Sequence, residues 1–174
     1  MTNIIAQKFI PQNSFFGGNG LKQFLAEAET QTWNCDISPA SLVTDAGKCT
    51  ASNLVRLSAK PFELELLFSR LQTQDGKEID LRIKTLCKVG KARVFLHEWK
   101  DRLDAVNYLT ISDLEERVQN AVLPRFVDLI ADHTHAQLAS EHFLSVDSYH
   151  TFIDASQLVP VNFTPMSTSV SVDR

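Results

Sequence analysis

His133, His135 and His142, with Asp132 and Glu141 beside them, form the one cluster of metal-ligating residue types in the sequence. Imidazoles and carboxylates at short spacing are what a zinc or iron site needs. The spacing speaks against such a site. Helix positions two apart point about 200° from one another, so His133 and His135 share a ligand only where a helix has ended. His135 and His142, seven apart, lie on one face but two turns from each other. Histidines near a helix C-terminus also interact favourably with its dipole, with no ligand involved.

A second candidate is Gly17, Gly18 and Gly20 in Gly17-Gly18-Asn19-Gly20-Leu21-Lys22, between a short strand and a helix. Backbone donors and a helix dipole hold phosphate at such a place. The glycine spacing matches neither GxGxxG nor a P-loop. His97-Glu98 beside Trp99 offers acid and base types, yet adjacent helix residues point apart, so both read as surface groups flanking a core tryptophan. Cys35, Cys49 and Cys87 form no CxxC pair and are odd in number, which predicts reduced, structural thiols in a cytoplasmic protein. The serines lack a GxSxG elbow. The expectation is a protein that is not an enzyme and takes no cofactor. A small metal-dependent or nucleotide-binding enzyme built on the three histidines or the glycine turn is the alternative.

The elements that position these residues follow from periodicity. A short apolar strand opens the chain, and Leu21, Phe24, Leu25 and Ala28 predict a helix over 21–33. Residues 34–60 show no clean period and read as loops with one or two short strands. From Phe62 to Val89 the pattern is strict: Phe62, Leu64, Leu66 and Phe68, then Ile79, Leu81, Ile83, Thr85 and Cys87, alternate with charged residues around Thr73-Gln74-Asp75-Gly76-Lys77. This predicts a β-hairpin, because tight hairpin turns need positive φ, which Gly adopts freely and Asp tolerates.

Phe95, Leu96, Trp99 and Leu103 then predict one helix over 92–103. Ser112 with Glu115 reads as a capping box opening a longer helix near Thr110. Its apolar stripe of Ile111, Leu114, Val118 and Ala121 steps over to Val122, Phe126, Leu129, His133 and Ala136. Pro124 at the step predicts a kink or a break. Val122, Phe126 and Leu129 are the candidate interaction surface. With Pro160, Pro165 and repeated Ser and Thr, residues 159–174 read as an extended or mobile tail.

The chain has 174 residues, 17 Lys+Arg against 21 Asp+Glu and a net charge of −4, with 44% hydrophobic and 22% charged residues. Those proportions belong to a globular chain, and the acidic balance without a basic face excludes a nucleic-acid module. The early apolar patch has no preceding cation, which predicts no signal peptide. The uncharged stretch Ala155–Val172 is too polar to span a membrane. One α+β domain over 1–158, a small antiparallel sheet packed by helices, is the expected fold.

The run from Leu66 through Thr73-Gln74-Asp75-Gly76 to Val89, followed by the helical section Leu109–Ala139, resembles the SPFH or band 7 domain of stomatins, prohibitins and flotillins. The likeness covers roughly residues 60–142. It implies an α+β domain without catalytic residues, a scaffold that oligomerises at membranes and regulates membrane proteins and proteases. The family's apolar N-terminal anchor and its long Ala/Glu-rich helix have no counterpart in the sequence. The expectation is therefore a self-associating scaffold with protein partners, reaching a membrane only indirectly. A subunit of a larger particle, such as a phage or secretion assembly whose tail orders on contact, is a further alternative.

Overall fold

The computed structural model describes residues 3–10, 17–44, 53–140, 153 and 160–172; Cys49, Glu141 and His142 lie outside them. The fold is α+β with antiparallel sheets, as expected, but it groups into two compact units rather than around one small sheet. The first unit comprises residues 1–61 and 88–111, and the second 62–87 and 112–174.

In the first unit β1 (Ile4–Lys8), β2 (Thr30–Asn34), β3 (Ser41–Leu42), β4 (Leu54–Ser58) and β7 (Tyr108–Thr110) form a sheet in the order β3-β2-β4-β1-β7. Consecutive residues of its strands are buried: Ile5 and Ala6, Thr32 and Trp33, Leu54 and Val55. Strands covered on both faces lose the alternation that would announce them, which is why residues 34–60 show no period. The covers are helical. Arg56, paired with Gln7 in the β1–β4 ladder, reaches α1 (Gly17–Leu25), whereas Lys8, on the opposite face, reaches Asp104 of α3 (Lys100–Val106) at 2.6 Å.

Two helical expectations change. The helix predicted to reach Trp33 stops at Leu25, because Glu29 at φ 57° turns the chain into β2. The single helix predicted over 92–103 is two, α2 (Ala92–Glu98) and α3, divided at Trp99, whose φ and ψ of −103° and 9° leave the helical region. Asn107 ends α3 in the left-handed conformation, its N–H on the Leu103 carbonyl, a conformation asparagine tolerates well.

In the second unit β5 (Phe62–Gln72) and β6 (Glu78–Val89) are the expected hairpin, in register from Phe62↔Cys87 to Gln72↔Glu78. A bulge between Phe68 and Leu71 puts Arg70 at φ 57°, with its N–H donating to Asp80 Oδ1 at 2.9 Å. The inner face packs on α4 (Ile111–Ala131), where the Phe68 and Phe126 rings lie 4.9 Å apart.

The α4 stripe runs straight through Leu114, Val118, Val122, Phe126 and Ile130, all buried, with no step. Of the kink or break predicted at Pro124, the break is absent: the helix continues past it. Pro124 is exposed, so water can satisfy the carbonyl that its missing N–H leaves open.

Residues 161–172, expected as part of an extended or mobile tail, form β8 (Val161–Val172) next to β6, and the Thr85 hydroxyl donates to the Thr164 carbonyl at 2.9 Å. Pro165 suits a strand at the end of a sheet, where a missing N–H costs no ladder bond.

Candidate functional site

The turn of the β5–β6 hairpin is a densely bonded polar feature among the described residues. Gly76 sits at φ 74°, which a side chain would strain. Thr73 holds the loop closed: its N–H donates to the Lys77 carbonyl at 2.9 Å, and its hydroxyl accepts from the Lys77 N–H at 3.0 Å and donates to Asp75 Oδ1 at 2.7 Å. The closed turn is tied to the helical segment behind it. Gln74 N–H donates to the His133 carbonyl, and His135 N–H donates to Asp75 Oδ1, both at 2.9 Å.

His135 opens the short helix α5 (His135–Leu138). Its capping box is Thr134 with Gln137, one helix later than the Ser112–Glu115 pair that was expected to cap. The His135 backbone N–H, and after it the Thr73 hydroxyl, hold the Asp75 carboxyl below its usual range.

A depressed carboxylate pKa stabilises the fold above the unfolded-state value, about 4, and that contribution disappears as pH falls through the folded value. Asp75→Asn should therefore be less stable than the wild type at neutral pH. The gap in urea midpoint should close as the pH falls below about 4. A gap that stays constant with pH would refute this account of the turn.

Of the three histidines weighed as an alternative metal site, His133 and His135 are described and His142 lies outside the described residues. His133 Nδ1 turns back to the Leu129 carbonyl at 2.8 Å, and the His135 backbone is engaged by Asp75. Among the described residues no three His, Cys, Asp or Glu side chains are placed to hold a metal ion.

Gly17, Gly18 and Gly20 lie inside the first turns of α1 rather than in a loop before it, and the approach over residues 11–16 lies outside the described residues. Val122 and Phe126, expected as an association surface, are fully buried, and Leu129 is half-buried. The stripe is the core contact of α4 with the hairpin, and the exposed apolar pair on this helix is Leu123 and Val127. His97 and Glu98 are exposed beside the buried Trp99, as their spacing implied. Cys87 is buried, its Sγ 3.9 Å from the Thr85 carbonyl.

Three polar groupings went unread in the sequence. Glu115 and Gln119, one turn apart on α4, reach the outer edge of β5: the Glu65 N–H donates to Glu115 Oε1 at 2.9 Å, and Gln119 Nε2 donates to the Leu67 carbonyl at 2.7 Å. Their spacing of four was the available signal, hidden by assigning Glu115 to a cap. Asp104 is held by both Lys8 and Lys100, with the Lys100 bond, then the Lys8 bond, lowering its pKa. Nearby, burial and then the Asp36 charge push the Cys35 thiol up to about 11, which makes it a poor nucleophile at neutral pH.

Arg56 forms the third grouping. It donates to Gln7 Oε1 at 2.7 Å and to Glu27 Oε2 at 3.2 Å, with its guanidinium 4.6 Å above the Phe24 ring. No described helix is long and apolar enough to cross a membrane. In comparisons with known proteins, no family model and no curated protein matches the chain.

Proposed function

We propose that this protein is a non-catalytic scaffold that works through protein contacts and self-association, similar to SPFH or band 7 domains over roughly residues 60–142. The observation that carries the reading is the hairpin turn. Thr73-Gln74-Asp75-Gly76, the motif on which the likeness rests, is a structural joint in which Asp75 and Gln74 tie the hairpin to His133 and His135. Its carboxylate is ionised and committed to two donors, the reverse of a group poised for proton transfer. The same bonds hold the hairpin and the end of α4 in one arrangement, as a rigid contact module requires.

The partners on this reading are proteins, a second copy of the chain among them, and any membrane is reached through a partner. Light scattering coupled to size-exclusion chromatography over a concentration series, with metal measured in the same peak, tests it. A defined oligomer without bound metal is expected. A monomer at every concentration would overturn it, and stoichiometric zinc or iron in that peak would favour the metal-dependent alternative.

A further inference from the structure

The two ends of the β5-β6-β8 sheet are finished differently. At β5, Glu115 and Gln119 occupy outward backbone groups, the kind of cover that keeps an edge strand from recruiting another chain. At the other end β8 is the last strand, and among the described residues no strand pairs with its far side. Charge is the other common device for blunting an edge, and Met166-Ser167-Thr168-Ser169-Val170-Ser171-Val172 has none. Met166, Ser167 and Ser169 are exposed. These residues follow Pro165, so every one of them keeps its backbone N–H.

The segment is also close to a palindrome in residue type. Folded back on itself about Ser169, Ser167 meets Ser171, Thr168 meets Val170 and Met166 meets Val172, so hydroxyl faces hydroxyl, β-branched faces β-branched and apolar faces apolar. Such cross-strand pairs stabilise antiparallel ladders. We infer that Met166–Val172 pairs with the same segment of a second copy, antiparallel across a two-fold axis. This joins two three-stranded sheets into one continuous sheet.

Charge selects the second copy as the occupant. Two chains of net charge −4 repel in general and meet most easily along an uncharged line, while a charged peptide would find no countercharge on this strand. The two-fold pairing closes at a dimer, because each β8 edge is used once.

The inference rests on the proposed self-association, and the experiment separates the two. The full chain carrying Ser167→Lys and Ser169→Lys sets the charge at 169 directly opposite its own copy across the two-fold and the charge at 167 diagonal to it, at positions exposed in the single chain. Against the wild type in light scattering, its dimer should need a protein concentration higher by at least about tenfold. Leu123→Lys, at the exposed apolar position on α4, should leave the wild-type mass unchanged.

A wild type that stays monomeric overturns both the inference and the scaffold reading. A wild-type oligomer that survives the double lysine substitution, or that is lost only in Leu123→Lys, overturns the β8 pairing and leaves self-association standing. Amide hydrogen exchange of the wild type guards against a misfolded variant. Protection of residues 166–172 should rise with protein concentration, and protection independent of concentration in an oligomer would refute the pairing.

Discussion

Phe126→Ala should destabilise the second unit by about 3–5 kcal/mol, the usual cost of removing a fully buried aromatic side chain. Phe126 has no exposed surface, and its ring packs 4.9 Å from that of Phe68 on the inner face of β5. Truncation removes the apolar transfer term and leaves a cavity between two elements that are both held by other contacts, so relaxation recovers little of it. Val127→Ala, one residue along and 45% exposed, should change stability by no more than about 0.5 kcal/mol. Urea unfolding followed by far-ultraviolet circular dichroism measures both. Phe126→Ala with wild-type stability and weakened self-association would restore the surface role that the sequence spacing suggested.

Removing Arg56 has the second-largest expected effect, about 2 kcal/mol lost in Arg56→Ala. One guanidinium links three places: Gln7 on the neighbouring strand, Glu27 just after α1, and the Phe24 ring. The Glu27 carboxylate is more than half exposed, so that ion pair contributes little by itself. The 2.7 Å bond to Gln7, made by a side chain that is only 18% exposed, and the ring contact account for most of the loss. Arg56→Lys should recover less than half, because an ammonium cannot fork between Gln7 and Glu27 while lying flat over a ring. Trp33 and Trp99, the chain's two tryptophans, both belong to the first unit, so fluorescence-monitored unfolding reports it directly. An Arg56→Lys variant as stable as the wild type would show that the fork is immaterial.

What sequence reasoning recovered depended on how each element meets water. The hairpin was legible to the residue, because one of its faces is wet and carries Glu63, Glu65, Arg82 and Lys84, whose ion pairs lie at 3.1–3.9 Å across the two strands. α4 was legible as a helix for the same reason. Its stripe was misread because Leu129 and His133 were counted in place of Ile130, which moved the apolar line by one position and made Pro124 seem to mark a step.

The candidate site was half visible. Asp75 and Gly76 declare a turn, but the bonds from Gln74 and Asp75 to His133 and His135 cross about 60 residues of chain. No local pattern encodes such a pairing.

By itself the sequence determined the elements whose information is local: the α+β class, the hairpin with its Asp-Gly turn, and the long helix after it. Periodicity and turn chemistry act over a few residues, and they can be read wherever one side of an element faces solvent. Tertiary structure decided the rest. The five-stranded order β3-β2-β4-β1-β7 joins segments from both ends of residues 4–110, and covering both faces erased the alternation of its strands. β8 lies beside β6, and although Val161, Phe163, Thr164, Thr168, Val170 and Val172 favour a strand, Pro165 and the intervening serines led the sequence reading to a tail. The burial of Val122 and Phe126 was settled by the tertiary structure, since an apolar stripe becomes core or contact surface according to what packs on it, and here the hairpin does.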